Sequence, residues 1–486
     1  MSLRRVLIAN RGEIAVRVIR ACRSSGIEAV LAVSDADRDS LPARLADRAV
    51  CIGPARSAAS YLNVGAVVTA AVGSGCDALH PGYGFLAESA ALADACAQLG
   101  VTFIGPRPET IREMGNKIQA RALAVRAGVP VVPGSADVAD YEQAAAVAHD
   151  IGLPILLKAA AGGGGRGMQV VREPSELRSA FENATAEARA AFGNGTLYIE
   201  RLISNARHIE VQILGDRYGK VLHLGERDCT LQRRHQKIVE EGPAVFLSEQ
   251  LRNRIRQAAV KLAAGVGYEN AGTVEFIVDQ DRDEFFFLEV NTRIQVEHPV
   301  TEALTGVDLV REQLRIAAGE PLLLDQEKIR LAGHAIECRI NAEAAHDNFR
   351  PSPGLISGWR QPEHEYVRVD THCYGGYVVP PFYDSLLAKL IVIGADRAQA
   401  IERMQLALGE FSIEGIETTL PFLESLLQRP DYIAGTVNTR WVEAVTADAA
   451  IPDEHGLLNL QADPAQKPTH AAQSESLITS ALCPGT

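Results

Sequence analysis

The sequence predicts a chain of mixed class, α/β and α+β: a parallel-sheet N-terminal domain, a small glycine-rich mobile lid, and a larger domain built on a mixed or antiparallel sheet. Three observations predict this. The 486 residues, 47% hydrophobic and 22% charged, allow about three domains with cores of their own at ~150 residues each. The first hundred residues alternate strand and helix signals, which implies a mostly parallel sheet. From Arg207 onward, antiparallel strand signals dominate.

The elements follow in order. Val6-Leu7-Ile8-Ala9 is a buried-strand run within Arg4 to Ala9, and Ile14, Val18 and Cys22 recur at helical spacing behind it. Ile27 to Val33 reads as the next strand, Ala78-Leu79 leads into the dense loop His80-Pro-Gly-Tyr-Gly-Phe85, and Val101 to Ile104 is strand again. Pro106 and Pro108 punctuate a boundary before a helix expected from about Thr110 to Ala127. Val131 to Gly134 and Leu153 to Leu157 open a smaller unit. His208 to Leu214, Val221 to Gly225, Thr273 to Asp279 and Phe285 to Val290 read as strands. The expected division is an N-terminal domain at 1–114, connecting helices and lid at 115–203, a core at 204–332, a C-terminal lobe at 333–446 and a flexible tail at 447–486, where periodicity is lost.

Composition narrows the function. A net charge of −13 argues against general affinity for nucleic acid or anionic membrane. No apolar run approaches the ~18 residues of a spanning helix, and the N-terminus has too short an apolar stretch for a signal peptide. The eight cysteines include no CxxC pair, the pattern of reduced thiols in a cytoplasmic protein.

Gly162 to Gly165 and Gly167 form the first chemical signal. They match a dinucleotide GxGxxG, but Met168-Gln-Val-Val171 reads as a strand where that fingerprint needs a helix. The alternatives are a phosphate-covering flap between two strands or a plain mobile hairpin. Lys117 and Lys158 flank the region. Each alone is an ordinary surface charge, and together beside a glycine flap they suit nucleotide phosphates.

Gly272 to Asn291 reads as a hairpin centred on Arg282, which places Glu275 and Glu289 opposite each other, with Asn291 on the same face. Val274, Phe276, Leu288 and Val290 are expected to alternate into the core around them. Two carboxylates and an amide oxygen form a hard-oxygen site suited to Mg²⁺; the alternative is a slipped register with solvated glutamates. Arg293, Gln295 and Glu297 continue the alternation. Gln232-Arg-Arg-His-Gln-Lys237 is either a solvated charged face or a set of donors for an anionic substrate. Arg339 lies in the buried-looking run His334 to Asn341 and needs an anion or a carboxylate such as Glu337.

Together, Ile8 to Ile14, His80 to Leu86, Gly162 to Met168, Glu226 to Cys229, Gln232 to Lys237, Glu289 to Glu302 and Glu337 to Glu343 resemble the biotin carboxylase family of ATP-grasp ligases, over about residues 1 to 446. The resemblance implies an ATP-grasp fold and Mg-ATP-dependent carboxylation of carrier-bound biotin by bicarbonate, through carboxyphosphate, as the first half-reaction of an acetyl-CoA or related acyl-CoA carboxylase. It implies that Lys117, Lys158, Gly164, Gly165 and His208 contact ATP phosphates or ribose. Glu200, Arg201, Leu202 and Ile203 then hold the adenine, with Gln232 and His235 completing the pocket. Glu275, Glu289 and Asn291 bind Mg²⁺ or Mn²⁺, the two glutamates thereby also touching ATP. Lys237, Arg293 and the Val296 backbone hold bicarbonate, Glu297 is its base, Arg339 steadies both bicarbonate and the enolate-like biotin, and Tyr83 lines the biotin side. None of the four methionines adjoins a lysine, so the biotin carboxyl carrier protein and a carboxyltransferase are expected on separate chains. The resemblance also implies a homodimer.

Overall fold

The computed structural model describes residues 3–159, 168–192 and 195–448. Gly164 and Gly165 lie outside the described residues, as does the tail beyond 448.

Strands β1 (Arg5–Ile8), β2 (Glu28–Ser34), β3 (Arg48–Gly53), β4 (Ala78–His80) and β5 (Thr102–Phe103) form a parallel sheet in the order β3-β2-β1-β4-β5. Val6, Leu7 and Ile8 are wholly buried because the central strand of a parallel sheet is covered on both faces. The Gly12–Ser24 helix packs Ile14, Val18 and Cys22 into one of those cores. Chain reversals at the carboxyl ends of β1 and β4 leave a crevice where such sheets bind ligands. It is fixed by Asn10, whose Nδ2 donates to the carbonyls of Pro81 and Tyr83, 2.7 Å each. Gly82, at φ +64°, is needed here, since a Cβ would meet Asn10 Nδ2 at 2.8 Å.

The helix expected over 110–127 is two helices, Pro108–Gly115 and Lys117–Arg126. Asn116 is extended between them and caps the second, its Oδ1 accepting from the N–H groups of Ile118 and Gln119. A four-stranded sheet follows, β6 (Gly134–Val138), β7 (Ile155–Ala159), β8 (Met168–Val171) and β9 (Leu197–Arg201), in the order β6-β9-β7-β8. Lys158 pairs with Met168 in the antiparallel β7–β8 ladder, so the glycine run is flanked by two strands and opens no helix.

The largest sheet has eight antiparallel strands. It contains β10 (Ala206–Gly215), β11 (Val221–Arg233), β12 (Gln236–Gly242), β13 (Asn270–Asp279), β14 (Glu284–Asn291) and β15 (His334–Asn341) in the order β14-β13-β10-β11-β12-β15. The strands Leu386–Gly394 and Val367–Thr371 complete it beyond β15. The strand expected at 221–225 therefore runs through Glu226 to Cys229 and on to Arg233. One face packs on helices through Ile209, Val211 and Val274 at one end and Ile336, Cys338 and Leu390 at the other. The opposite face carries the polar residues of the same strands. Among the described residues no helix is long and apolar enough to cross a membrane.

Buried ions join the sheet to the C-terminal helices. Glu241 accepts from Arg397 Nε at 2.6 Å and Nη2 at 3.1 Å, and lies 2.8 Å from His334 Nε2. Burial alone would raise its pKa, but these partners pull it down to about 2. A depressed carboxyl stabilises the fold above its unfolded value and loses that contribution as pH falls through the folded one. Glu241→Gln is expected to lose on the order of 3 kcal/mol at pH 7. Its stability, followed by denaturant unfolding, should fall less steeply with pH than the parent's between about pH 4.5 and 2.

Candidate active site

The site begins with a row of charges across four strands. Cross-strand pairing places Arg227 opposite Glu210, Glu210 opposite Glu275, and Glu275 opposite Glu289. Adjacent like charges on a sheet are destabilising, so three aligned glutamates need cations. Arg227, fully buried, donates through Nε to Glu210 at 2.5 Å. Lys237 enters from β12, its ammonium 2.5 Å from Glu210, 2.9 Å from Glu275 and 2.7 Å from Glu297. Burial would lower the lysine's proton affinity, yet these carboxylates hold it well above its usual value.

The pairing of Glu275 with Glu289 depends on a bulge. The hairpin loop is Gln280 to Asp283, centred between Asp281 and Arg282, and regular pairing runs from Asp279–Glu284 to Phe276–Phe287. Continued regularly, it would set Leu288 against Glu275. Instead Leu288 is the extra residue and turns outward, 41% exposed. This corrects the expectation that Leu288 packs in the core: a strict alternation cannot show a bulge.

Glu275 is densely bonded. Its Oε1 accepts from Lys237, from Asn291 Nδ2 at 2.9 Å and from Gln295 Nε2 at 3.0 Å, and Oε2 lies 2.9 Å from His208 Nε2. Despite burial, His208 and Lys237 hold its carboxyl far below the usual range. Glu289 is half-exposed, with Lys117 Nζ 3.9 Å away; burial and the Glu275 charge both raise its carboxyl. Two carboxylates in each other's field, one of them pushed toward the protonated form, fit a hard divalent cation. Asn291 shares their face, but its amide oxygen accepts from Arg293 Nη2 at 3.0 Å.

Glu297 is wholly buried. Its Oε1 accepts from Lys237 and its Oε2 from Arg339 Nη2 at 2.8 Å. Although burial would raise it, Lys237, Arg339 and Arg227 hold this carboxyl well below its ordinary range. Arg339 also donates through Nε to Glu240 at 2.6 Å. Its partners are thus Glu240 and Glu297, and not Glu337, whose two oxygens have no hydrogen-bond partner among the described residues. Arg293 bonds Glu88 Oε2 at 3.0 Å and Gln295 Oε1 at 2.8 Å. The Val296 carbonyl accepts from Lys389 at 2.9 Å. Tyr83, in the crevice of the first sheet, donates to Glu13 and borders a cleft of about 110 Å³ with Asn10, Phe85 and Asp384.

The residues for which the resemblance implies ATP contacts divide into groups. Lys158 Nζ and Glu200 Oε2 are 2.5 Å apart, and Arg121 joins Glu200 to the helix that Lys117 begins. Arg201 bonds Glu284 at 2.7 Å, Leu202 N–H donates to Pro154, and Ile203 packs in a small apolar cluster. Gln232 is buried, while His235 is exposed at the β11–β12 turn with φ +66°. Arg233 and Arg234 bond Asn348 of the C-terminal lobe.

Glu210, Arg227, Glu240, Glu88 and Lys389 are the charged contacts that sequence reasoning missed. The first had a signal: His208, Glu210 and Gln212 alternate against apolar Ile209, Val211 and Ile213. Carboxylates also approach an imidazole at His208, Glu210 and Glu275 and a thiol at Glu210, Cys229 and Glu297. Lys237 already bonds Glu210, Glu275 and Glu297, so these clusters are held by an ammonium and require no metal.

A parallel sheet, a separate four-stranded sheet and an eight-stranded sheet that carries aligned carboxylates and buried cations fit an ATP-dependent ligase of the ATP-grasp class. Residues 2–111 match the biotin carboxylase N-terminal domain, 116–325 the ATP-binding domain of the carbamoyl-phosphate synthase L chain, and 337–444 the biotin carboxylase C-terminal domain. A biotin carboxylase of Nostoc sp. is 52% identical over 444 residues, 91% of this chain and 99% of that protein. A pyruvate carboxylase subunit from Methanothermobacter thermautotrophicus is 49% identical over 440 residues, 90% of this chain and 89% of its own. The biotin carboxylase domain dimer of Hydrogenobacter thermophilus 2-oxoglutarate carboxylase, crystallised with MgADP, ADP and bicarbonate, superposes with a TM-score of 0.83. It is 46% identical, over 92% of this chain and 98% of that one. The chain belongs to the biotin carboxylase family, enzymes that use Mg-ATP and bicarbonate to carboxylate biotin.

The two paired glutamates should separate in mutagenesis. Glu289→Gln is expected to weaken Mn²⁺ binding by about tenfold or more with stability unchanged within about 0.5 kcal/mol. Glu275→Gln should weaken Mn²⁺ binding and also destabilise the fold, because His208 and Lys237 lose a buried counter-charge. Calorimetric titration and thermal unfolding of both variants check this.

Proposed function

We propose that this chain carboxylates carrier-bound biotin, with the residues of the eight-stranded sheet in the following roles. The observation that supports it most is Glu297, a buried carboxylate clasped between Lys237 and Arg339. Lys237, Arg293, Arg339 and the Val296 backbone hold bicarbonate, whose negative charge suits the two cations that meet at Glu297. Glu297 takes the bicarbonate proton, so that its oxygen can attack the γ-phosphorus of ATP held in line. Lys117, Lys158, Gly164, Gly165 and His208 bind the phosphates or ribose. Glu200 to Ile203, Gln232 and His235 receive the adenine. Glu275, Glu289 and Asn291 hold Mg²⁺ or Mn²⁺, Asn291 after its amide turns from Arg293. A metal held there would supply charge neutralisation at the phosphates.

The P–O bond to ADP breaks as the bond to bicarbonate forms, giving carboxyphosphate. This decomposes to CO₂ and phosphate, the phosphate removes the ureido N–H proton, and the biotin nitrogen attacks CO₂. Arg339 steadies the ureido oxyanion, and the cleft at Tyr83 receives the bicyclic ring. Closure over ATP shields carboxyphosphate from water.

A carrier and a carboxyltransferase on separate chains, a homodimer and a cytoplasmic setting complete the reading. The separate carrier and transferase are supported by the match to nearly the whole length of the Nostoc biotin carboxylase, and the homodimer by the dimer of the Hydrogenobacter domain. The acetyl-CoA pathway is supported by the biotin carboxylase relatives, and the pyruvate carboxylase relative keeps the final acceptor a matter for the transferase.

ADP release with Mg-ATP should require bicarbonate and rise on adding free biotin; absence of biotin stimulation at any concentration contradicts the reading. Glu297→Ala is expected to lose turnover by about 10²-fold or more while binding ATP as the parent does. Unchanged turnover would remove Glu297 as the base.

A further inference from the structure

Lys389 lies opposite Arg339 where the Leu386–Gly394 strand pairs with β15. Its side chain is wholly buried, on the face away from the apolar core that holds its neighbours Ala388 and Leu390. Its ammonium donates to the Val296 carbonyl at 2.9 Å and lies 3.1 Å from Glu13 Oε2 and 3.9 Å from Asp370 Oδ2. The other oxygen of Glu13 accepts the Tyr83 hydroxyl. A buried ammonium requires counter-charges, and Glu13 and Asp370 supply them. The bond to the Val296 carbonyl is additional, and it falls on the peptide that leads into Glu297. Glu297 in turn precedes the His298–Thr305 helix as its N-cap residue, so the setting of that peptide fixes where its carboxylate points.

We infer that Lys389 is a positioning residue that couples the two substrate sides: one ammonium fixes the Val296–Glu297 peptide directly and Tyr83 through Glu13. The inference rests on the roles proposed above for Val296, Glu297 and Tyr83. Its consequence is cross-talk. A change at the Tyr83 hydroxyl reaches the bicarbonate side even when biotin is absent, because Glu13 and the Val296 carbonyl share the same cation.

The test is bicarbonate-dependent ADP release measured without biotin. Tyr83→Phe is expected to raise the KM for bicarbonate about fivefold, the scale of one hydrogen bond, and to leave the KM for ATP unchanged. Lys389→Met should raise it further, and the double variant should be no worse than Lys389→Met alone, since the hydroxyl acts through the ammonium. If Lys389→Met does not fold, Glu13→Gln replaces it in the same cycle with the same expected non-additivity. A bicarbonate KM in Tyr83→Phe within about twofold of the parent, an equal rise in the ATP KM, or effects that multiply in the double variant overturns the inference. An unmodified protein without bicarbonate-dependent ADP release overturns the proposed function instead, before any variant is made.

Discussion

The ammonium of Lys237 is the constraint on which the site depends. Antiparallel pairing forces Glu210, Glu275 and Glu289 into one row, an arrangement that mutual repulsion opposes. Lys237 bonds two of them and Glu297 besides, and Arg227 bonds Glu210 from behind. Because these charges are buried, neither side can be removed without stranding the other. The same arrangement suits the anion proposed for the site. Lys237, Arg339 and Arg293 are held in place by carboxylates before substrate arrives, so little reorganisation remains when charge develops.

The sheet explains how distant parts of the chain reach one centre. Glu240 and Glu337 are paired across β12 and β15, and Arg339 and Lys389 across the next strand boundary. The strands of the C-terminal segment therefore continue the sheet that carries the row of glutamates. The parallel sheet contributes from its carboxyl edge, where Tyr83 and Glu13 meet Lys389. These charged contacts sit beside an apolar cluster in which Val18 and Leu31 pack with Leu214 and Leu309.

Much of this was legible in the sequence, and the limits have physical reasons. Strand–helix alternation and the Glu275–Asn291 hairpin are local patterns, so periodicity revealed them. The equal spacing of Glu275 and Glu289 about Arg282 pointed to the right pair by a count that overlooks the bulge at Leu288; a bulge is a backbone event without a residue signature here. The break at Asn116 was readable from Gly115-Asn116, a helix end followed by a cap. The partners of Arg339 were not. Glu240 lies 99 positions away, and only the register between β12 and β15 brings it near, whereas Glu337 looked adequate because it shares the strand face. Lys389 was hidden likewise, being one lysine in an apolar strand.

The central claim is that the Lys237–Glu297–Arg339 cluster holds bicarbonate and turns it into the nucleophile for the γ-phosphate of ATP. Bicarbonate labelled with ¹⁸O tests it most directly. If a bicarbonate oxygen attacks phosphorus, the bridging oxygen stays with phosphorus when carboxyphosphate breaks down, and the released phosphate carries one ¹⁸O from bicarbonate. Phosphate that carries oxygen from solvent water, and none from bicarbonate, would contradict the account.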